Sequence, residues 1–234
     1  NPKHFPRLMT QYGFQSFPEI KTVESYTRAE DRKSIQTPVM LAHQRHPRGN
    51  QLIREYMLRE FNEPKDFESF LYVSQVLQAE GIRIGTEHFR RIMPRNMGAL
   101  YWQVNDCWPV ASWSGTDYFG RWKAMHYYAK RFFEPLFVSP VEEAGKLNFY
   151  LVSDFPDSRK AALKVRVLDL NGKQHFQKSF DVTVEPLKGK SYLSLPVDTL
   201  LNGLDRKSAI VVADLNETGK TVSSTEHYFA PFKE

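Results

Sequence analysis

The sequence is poor in several things that would decide its class at once. It has a single cysteine, Cys107, so no internal disulfide can form. That leaves the compartment open, because large exported enzymes often lack disulfides; an extracytoplasmic setting is the favoured expectation. No apolar run approaches the roughly 18 residues of a membrane span, and no signal peptide is visible. There is no P-loop, no GxGxxG and no Ser-His-Asp arrangement, which removes the commonest nucleotide-binding and serine-hydrolase readings. There are no internal repeats and no low-complexity stretch. Charge of one sign is not concentrated either. The net charge is +5 with acids and bases interspersed, and Arg90-Arg91 and Lys130-Arg131 are pairs rather than tracts. A mildly basic solvated surface follows, with neither a nucleic acid nor a membrane expected as partner.

What is present is an ordinary globular composition, 41% apolar and 25% charged, with aromatics at 14%. Aromatic side chains build cores, and they also build sugar sites. The 234 residues allow one large domain or two small ones. The chain opens on Asn1 rather than methionine and is expected to be part of something longer.

Two grammars divide it. Residues 1–135 mix strands and helices. Asn50 to Phe61 carries Leu52, Ile53, Tyr56, Met57 and Phe61 at helical spacing, with Asn50 as a candidate cap. A longer helix is predicted over 66–92, capped by Asp66, open to bending at Gly81 and Gly85, and stopped by Pro94. Gly98 to Val104 reads as a buried strand, and Gly120 to Phe133 as another amphipathic helix. With a strand before Gly13, the order is strand, helix, helix, strand, loop, helix. This is parallel α/β grammar with too few strands to close a sheet. Residues 136–234 read as six or seven short strands, an immunoglobulin-like β-sandwich without the Cys…Trp…Cys core of antibody domains. Asn171-Gly172 is the strongest hairpin signal and predicts a type I′ turn.

Chemistry in α/β enzymes gathers at strand ends. One such end carries Gln11-Tyr12-Gly13. The other carries Trp102, Asn105 and Asp106, with Trp108 and Trp113 beyond. A pyranoside stacks its C–H face on an indole, and its hydroxyls need directed donors and acceptors. Tryptophan beside Asn and Asp supplies both, although each tryptophan taken alone is as well read as core. His43 and His46 have an i, i+3 spacing but no third ligand nearby in sequence, so no metal is expected.

Four segments, "QYGFQSFPEI", "GNQLIREYM", "GALYWQVNDCWPVASWS" and "DYFGRWKAMHYYAKRFF", together resemble the C-terminal part of a glycoside hydrolase family 2 β-mannosidase. The likeness is strong over residues 1–140, and the β-rich remainder matches in kind. It implies that 1–135 is the C-terminal portion of a (β/α)8 TIM barrel, its seventh and eighth strands, and that 136–234 is the β-sandwich that follows. In the family the motif reads Ser/Thr-Glu-Tyr-Gly-Phe-Gln-Ser, and its glutamate is the nucleophile; here that position is Gln11. The acid/base glutamate of the family follows an asparagine on the fourth strand, which this chain does not contain.

The resemblance further implies that Trp102 is the sugar platform, that Asn105 and Asp106 shape its polar rim, and that Tyr12 is an aromatic holding the nucleophile position. No cofactor is implied. The expected partners are a β-mannoside oligosaccharide and the remainder of the parent polypeptide. Two rival readings stand beside it. One is another family 2 specificity: β-galactosidase, β-glucuronidase or exo-glucosaminidase. The other is a non-catalytic carbohydrate-binding or structural module.

Overall fold

The computed structural model describes residues 5–234; residues 1–4 of the first expected domain lie outside it. β1 (Met9–Tyr12) and β2 (Ala99–Tyr101) form a two-stranded parallel sheet, with Met9 opposite Ala99 and Tyr12 opposite Tyr101. Between them run α1 (Ile20–Glu24), α2 (Pro38–Ala42), α3 (Gly49–Glu60) and α4 (Phe67–Arg91); α5 (Ala124–Phe132) follows β2.

α4 begins as its sequence predicts. The Asp66 carboxylate accepts the Ser69 amide at 2.7 Å, and the Ser69 side chain together with that amide holds the carboxyl below its usual range. It runs unbroken past Gly81 and Gly85. Those glycines seat the rings of Phe14 and Tyr12, which lie 3.0 and 3.4 Å from where a β-carbon would stand. α3 corrects an expectation. Arg48, not Asn50, is at its N-cap, and Asn50 is buried in the first turn. The Asn50 amide donates to the carbonyls of Ile35 (2.6 Å) and Met40 (3.3 Å) and accepts from Gln44 (2.6 Å). An amide that can stitch three segments together is worth more inside than at a solvated cap. α5 is shorter than its apolar pattern, because residues before it are held by the preceding loop: Thr116 bridges Trp122, and Lys123 donates its amide to the Gly115 carbonyl.

From Leu136 onward the chain makes seven strands: β3 (Leu136–Glu143), β4 (Lys146–Ser153), β5 (Arg159–Asp169), β6 (Gln174–Val184), β7 (Lys188–Pro196), β8 (Ala209–Glu217) and β9 (Lys220–Tyr228). A short α6 (Val197–Leu201) follows β7. Antiparallel sheets β3-β4-β7 and β6-β5-β8-β9 face one another. Alternate residues such as Leu163, Val165 and Val167 of β5 and Val211, Ala213 and Leu215 of β8 fill the core between them.

The Asn-Gly signal marks a hairpin but not the expected turn. A type I′ turn needs positive φ at both central residues. Leu170 and Asn171 both keep negative φ, and only Gly172 is at +82°. Gly172 donates its amide to the Asp169 carbonyl, and the Asp169 carboxylate gathers the amides of Asn171 and Lys173. The strand register shifts by one residue beside it, the mark of a three-residue loop with a bulge. Two-residue turns with both φ positive occur instead at Ala144-Gly145 and Thr218-Gly219.

A candidate sugar-binding cleft

β1 and β2 run side by side, so their C-terminal ends deliver Gln11 and Trp102 to one place. Tyr12 is the joint: its carbonyl accepts the Trp102 amide at 2.7 Å. An open cleft of about 600 Å³ lies there, lined by Gln11, Tyr12, Gly13, Arg45, Trp102 and Trp113. Gln11 and Trp102 are exposed in it, and Trp113 is half-buried. The chain passes from Trp102 back to Trp113 through a loop closed by the Gln103 amide on the Trp113 carbonyl (3.1 Å). Trp113 then packs on Gly13, where no side chain intervenes.

Of the residues expected from sequence, Gln11, Tyr12 and Trp102 meet in the cleft, and Asn105 and Asp106 do not line it. Tyr12 borders it, but its ring packs on Gly85 and its hydroxyl is bonded to Thr86 at 2.5 Å. Burial raises its phenol pKa, so the ring is neutral at any physiological pH. Asn105 is exposed, its amide turned to the Asp106 carbonyl. Asp106 is buried. Its carboxylate accepts the hydroxyls of Ser112 (2.7 Å) and Ser114 (2.5 Å), which ties the loop that carries Trp113.

Beneath the loop lies Lys123, fully buried. Its ammonium donates to the Ser16 hydroxyl at 3.3 Å, and that hydroxyl donates to Gln78 of α4 at 2.7 Å. Burial pushes Lys123 down to about 8, partly opposed by Asp106 and Asp117. A lysine at the head of an amphipathic helix gives no hint of this in sequence. Arg45 was also missed. It lies in the histidine-bearing loop, reaches the cleft, and has no ion-pair partner among the described residues. His43 stacks on Tyr26 (centroids 3.9 Å apart) and donates from Nδ1 to the Pro109 carbonyl at 2.6 Å. Among the described residues, no group of three or more His, Cys, Asp or Glu is placed to hold a metal.

The lining is thus one amide, one guanidinium and two indoles around backbone. It can stack an apolar sugar face and donate to hydroxyls. Among the described residues, no carboxylate lines it.

The chain is 34% identical to the β-mannosidase of Capra hircus, which it matches over 98% of its own length and 28% of the relative's. It is 28% identical to β-mannosidase A of Aspergillus oryzae, over 71% of its length and 21% of that protein. Its fold matches the crystal structure of the β-D-mannosidase from Dictyoglomus thermophilum with a TM-score of 0.89 at 26% identity, covering 97% of this chain and 28% of that one. The chain is homologous to β-mannosidases. Residues 145–234 also match the family model described as Mannosidase Ig/CBM-like domain. The chain spans 21–28% of these relatives' length. The exo-chitosanase CsxA of Amycolatopsis orientalis has a similar fold (TM-score 0.76, 17% identity).

Proposed function

We propose that this chain is the C-terminal part of a retaining exo-β-mannosidase of glycoside hydrolase family 2, which removes terminal β-D-mannose from non-reducing ends. On this reading residues 1–135 supply the last two strands of a (β/α)8 barrel, and 136–234 the immunoglobulin-like domain behind it. The parallel pair with Leu8, Leu100, Trp102 and Val104 left exposed fits a sheet made to continue. The observation that carries the proposal is that Gln11 and Trp102 share one cleft at adjacent C-terminal strand ends, in a chain homologous to β-mannosidases.

Trp102 is the platform for the mannose ring, with Trp113 beside it. Gln11 stands where the nucleophilic carboxylate belongs. A retaining glycosidase needs two carboxyl groups about 5–5.5 Å apart, one to attack the anomeric carbon and one to protonate the leaving oxygen. Gln11 keeps the size and an acceptor but not the charge, so the protein as written binds and does not turn over. Asp106 and Asn105 act from behind, shaping the loop rather than touching sugar. Tyr12 holds Gln11 and Trp102 in register.

The test is Gln11→Glu in the full-length parent, assayed on an aryl β-mannoside. Hydrolysis should appear from a baseline near zero, since a lost nucleophile costs many powers of ten. Trp102→Ala in that background should then weaken substrate binding. An inert Gln11→Glu protein would show that position 11 is not the nucleophile's. Aryl β-galactoside, β-glucuronide and β-glucosaminide run in parallel distinguish the family 2 specificities.

A further inference from the structure

Tyr12 links the two halves of the cleft: its neighbour is Gln11, and its carbonyl holds Trp102. What fixes Tyr12 is therefore a matter for the site. Its hydroxyl meets Thr86 Oγ1 at 2.5 Å, and that same Thr86 hydroxyl donates to the Ile82 carbonyl at 2.8 Å. A threonine hydroxyl has one proton. With that proton committed to Ile82, Thr86 accepts and Tyr12 donates. The bond has a fixed direction, and Thr86 is buried.

The next residues of α4 are fastened to the β-sandwich. Glu87 is buried and accepts the Ser139 hydroxyl of β3 at 2.5 Å; Arg91 donates to that same hydroxyl at 2.7 Å and lies 3.6 Å from Glu87. Arg90 donates to the carbonyls of Phe132 (2.6 Å) and Glu134 (3.0 Å) and to Asp154 (2.7 Å), with its guanidinium 4.3 Å over Phe137. Past the helix end, the Gly189 amide of β7 donates to the Met93 carbonyl. One helix thus carries the mount of Tyr12 at position 86 and the sandwich anchor at 87, 90 and 91. Buried polar groups of this kind are costly to leave unpaired, so the arrangement is stiff.

We propose that Thr86 is a positioning residue of the cleft, and that the β-sandwich steadies it through the same stretch of α4. The sandwich then serves the site from behind, without contributing a residue to the cleft.

The experiment uses the full-length parent. Thr86→Val keeps the shape and removes the acceptor; Thr86→Ser keeps it; Tyr12→Phe removes the bond from the other side. Ser139→Ala loosens the sandwich anchor. Hydrogen exchange in a peptide spanning Trp102 reports the Tyr12–Trp102 bond directly. Exchange there should quicken about tenfold in Thr86→Val and Tyr12→Phe, and measurably in Ser139→Ala, with Thr86→Ser restoring the slow rate. Affinity for an aryl β-mannoside should fall about tenfold in the first two variants and be recovered in Thr86→Ser.

The affinity arm rests on the reading of the cleft as a mannoside site; the exchange arm does not. A parent that fails to bind the mannoside therefore counts against that reading alone. Wild-type exchange at Trp102 in Thr86→Val and Tyr12→Phe, or in Ser139→Ala, would overturn the positioning proposal.

Discussion

Gly13 and Trp113 are in contact through a missing side chain: a β-carbon built on Gly13 would stand 2.8 Å from Trp113 Cδ1 and 2.8 Å from the Trp102 carbonyl oxygen. Separations below 3 Å force movement, and the carbonyl of Trp102, whose amide is bonded to Tyr12 at the end of the strand pair, has little room to give. Gly13→Ala should therefore displace the indole and destabilise the protein by about 1–3 kcal/mol. Tryptophan fluorescence should shift together with the urea midpoint. An unchanged emission spectrum would show that the indole is not seated as described.

Lys123 gives the protein an alkaline signature. Burial holds it at about 8 against an ordinary 10.5, so above pH 8 the unfolded chain binds this proton more firmly than the folded one. Stability should rise with pH across that window, by about 2 kcal/mol between pH 8 and 9.5. Urea unfolding at several pH values would display the slope, and Lys123→Met should flatten it. A slope that survives the substitution belongs to another group.

His227 of β9 works at the acid end. Burial lowers it to about 4, with Glu142 opposing and Arg83 and Arg206 adding to the shift; its Nε2 has no hydrogen-bond partner. A histidine kept neutral in the fold costs stability as the unfolded state gains its proton. The loss begins below pH 6.5 and is complete near pH 4, about 3 kcal/mol in all. His227→Gln should lose less over that interval than the parent sequence. Equal acid sensitivity in the two proteins would remove His227 from the account.

Thr218 sits at φ +49° in the turn between β8 and β9, ahead of Gly219 at +81°. A β-branched residue is poorly suited to that conformation, and asparagine is the favoured one. Thr218→Asn should stabilise the sandwich by up to about 1 kcal/mol, read as a higher melting temperature. A lower one would mean that the Thr218 side chain has a use the backbone angle does not reveal.

Legibility from sequence followed the range of the interaction. Asp66 announced α4 because capping is settled within three residues. The strands of the sandwich were legible because alternation is local and one face is buried. Asn171-Gly172 announced a hairpin, but the turn type was decided by Asp169, whose carboxylate competes for the same amides. The site divides in the same way. Gln11 and Trp102 stood out through their neighbours in sequence. Asp106 looked like a sugar ligand because its real partners, Ser112 and Ser114, become neighbours only when the loop folds back. Lys123 and Thr86 could not be found at all, since their partners are Ser16 and Tyr12, 107 and 74 residues away.

The parallel pairing of Met9 with Ala99 has a consequence for synthesis. A hairpin such as Glu217–Lys220 can close as soon as its turn has been made. β1 has no such neighbour. At about 5–20 residues per second, some 5–20 s of translation separate it from β2. Through that interval the edge of β1 that will pair with β2 stays without this partner, while α3 and α4 are still emerging. The strand that bears Gln11 thus waits longer for this partner than any strand of the β-sandwich waits for its own, and a pause in translation anywhere between the two strands lengthens that wait.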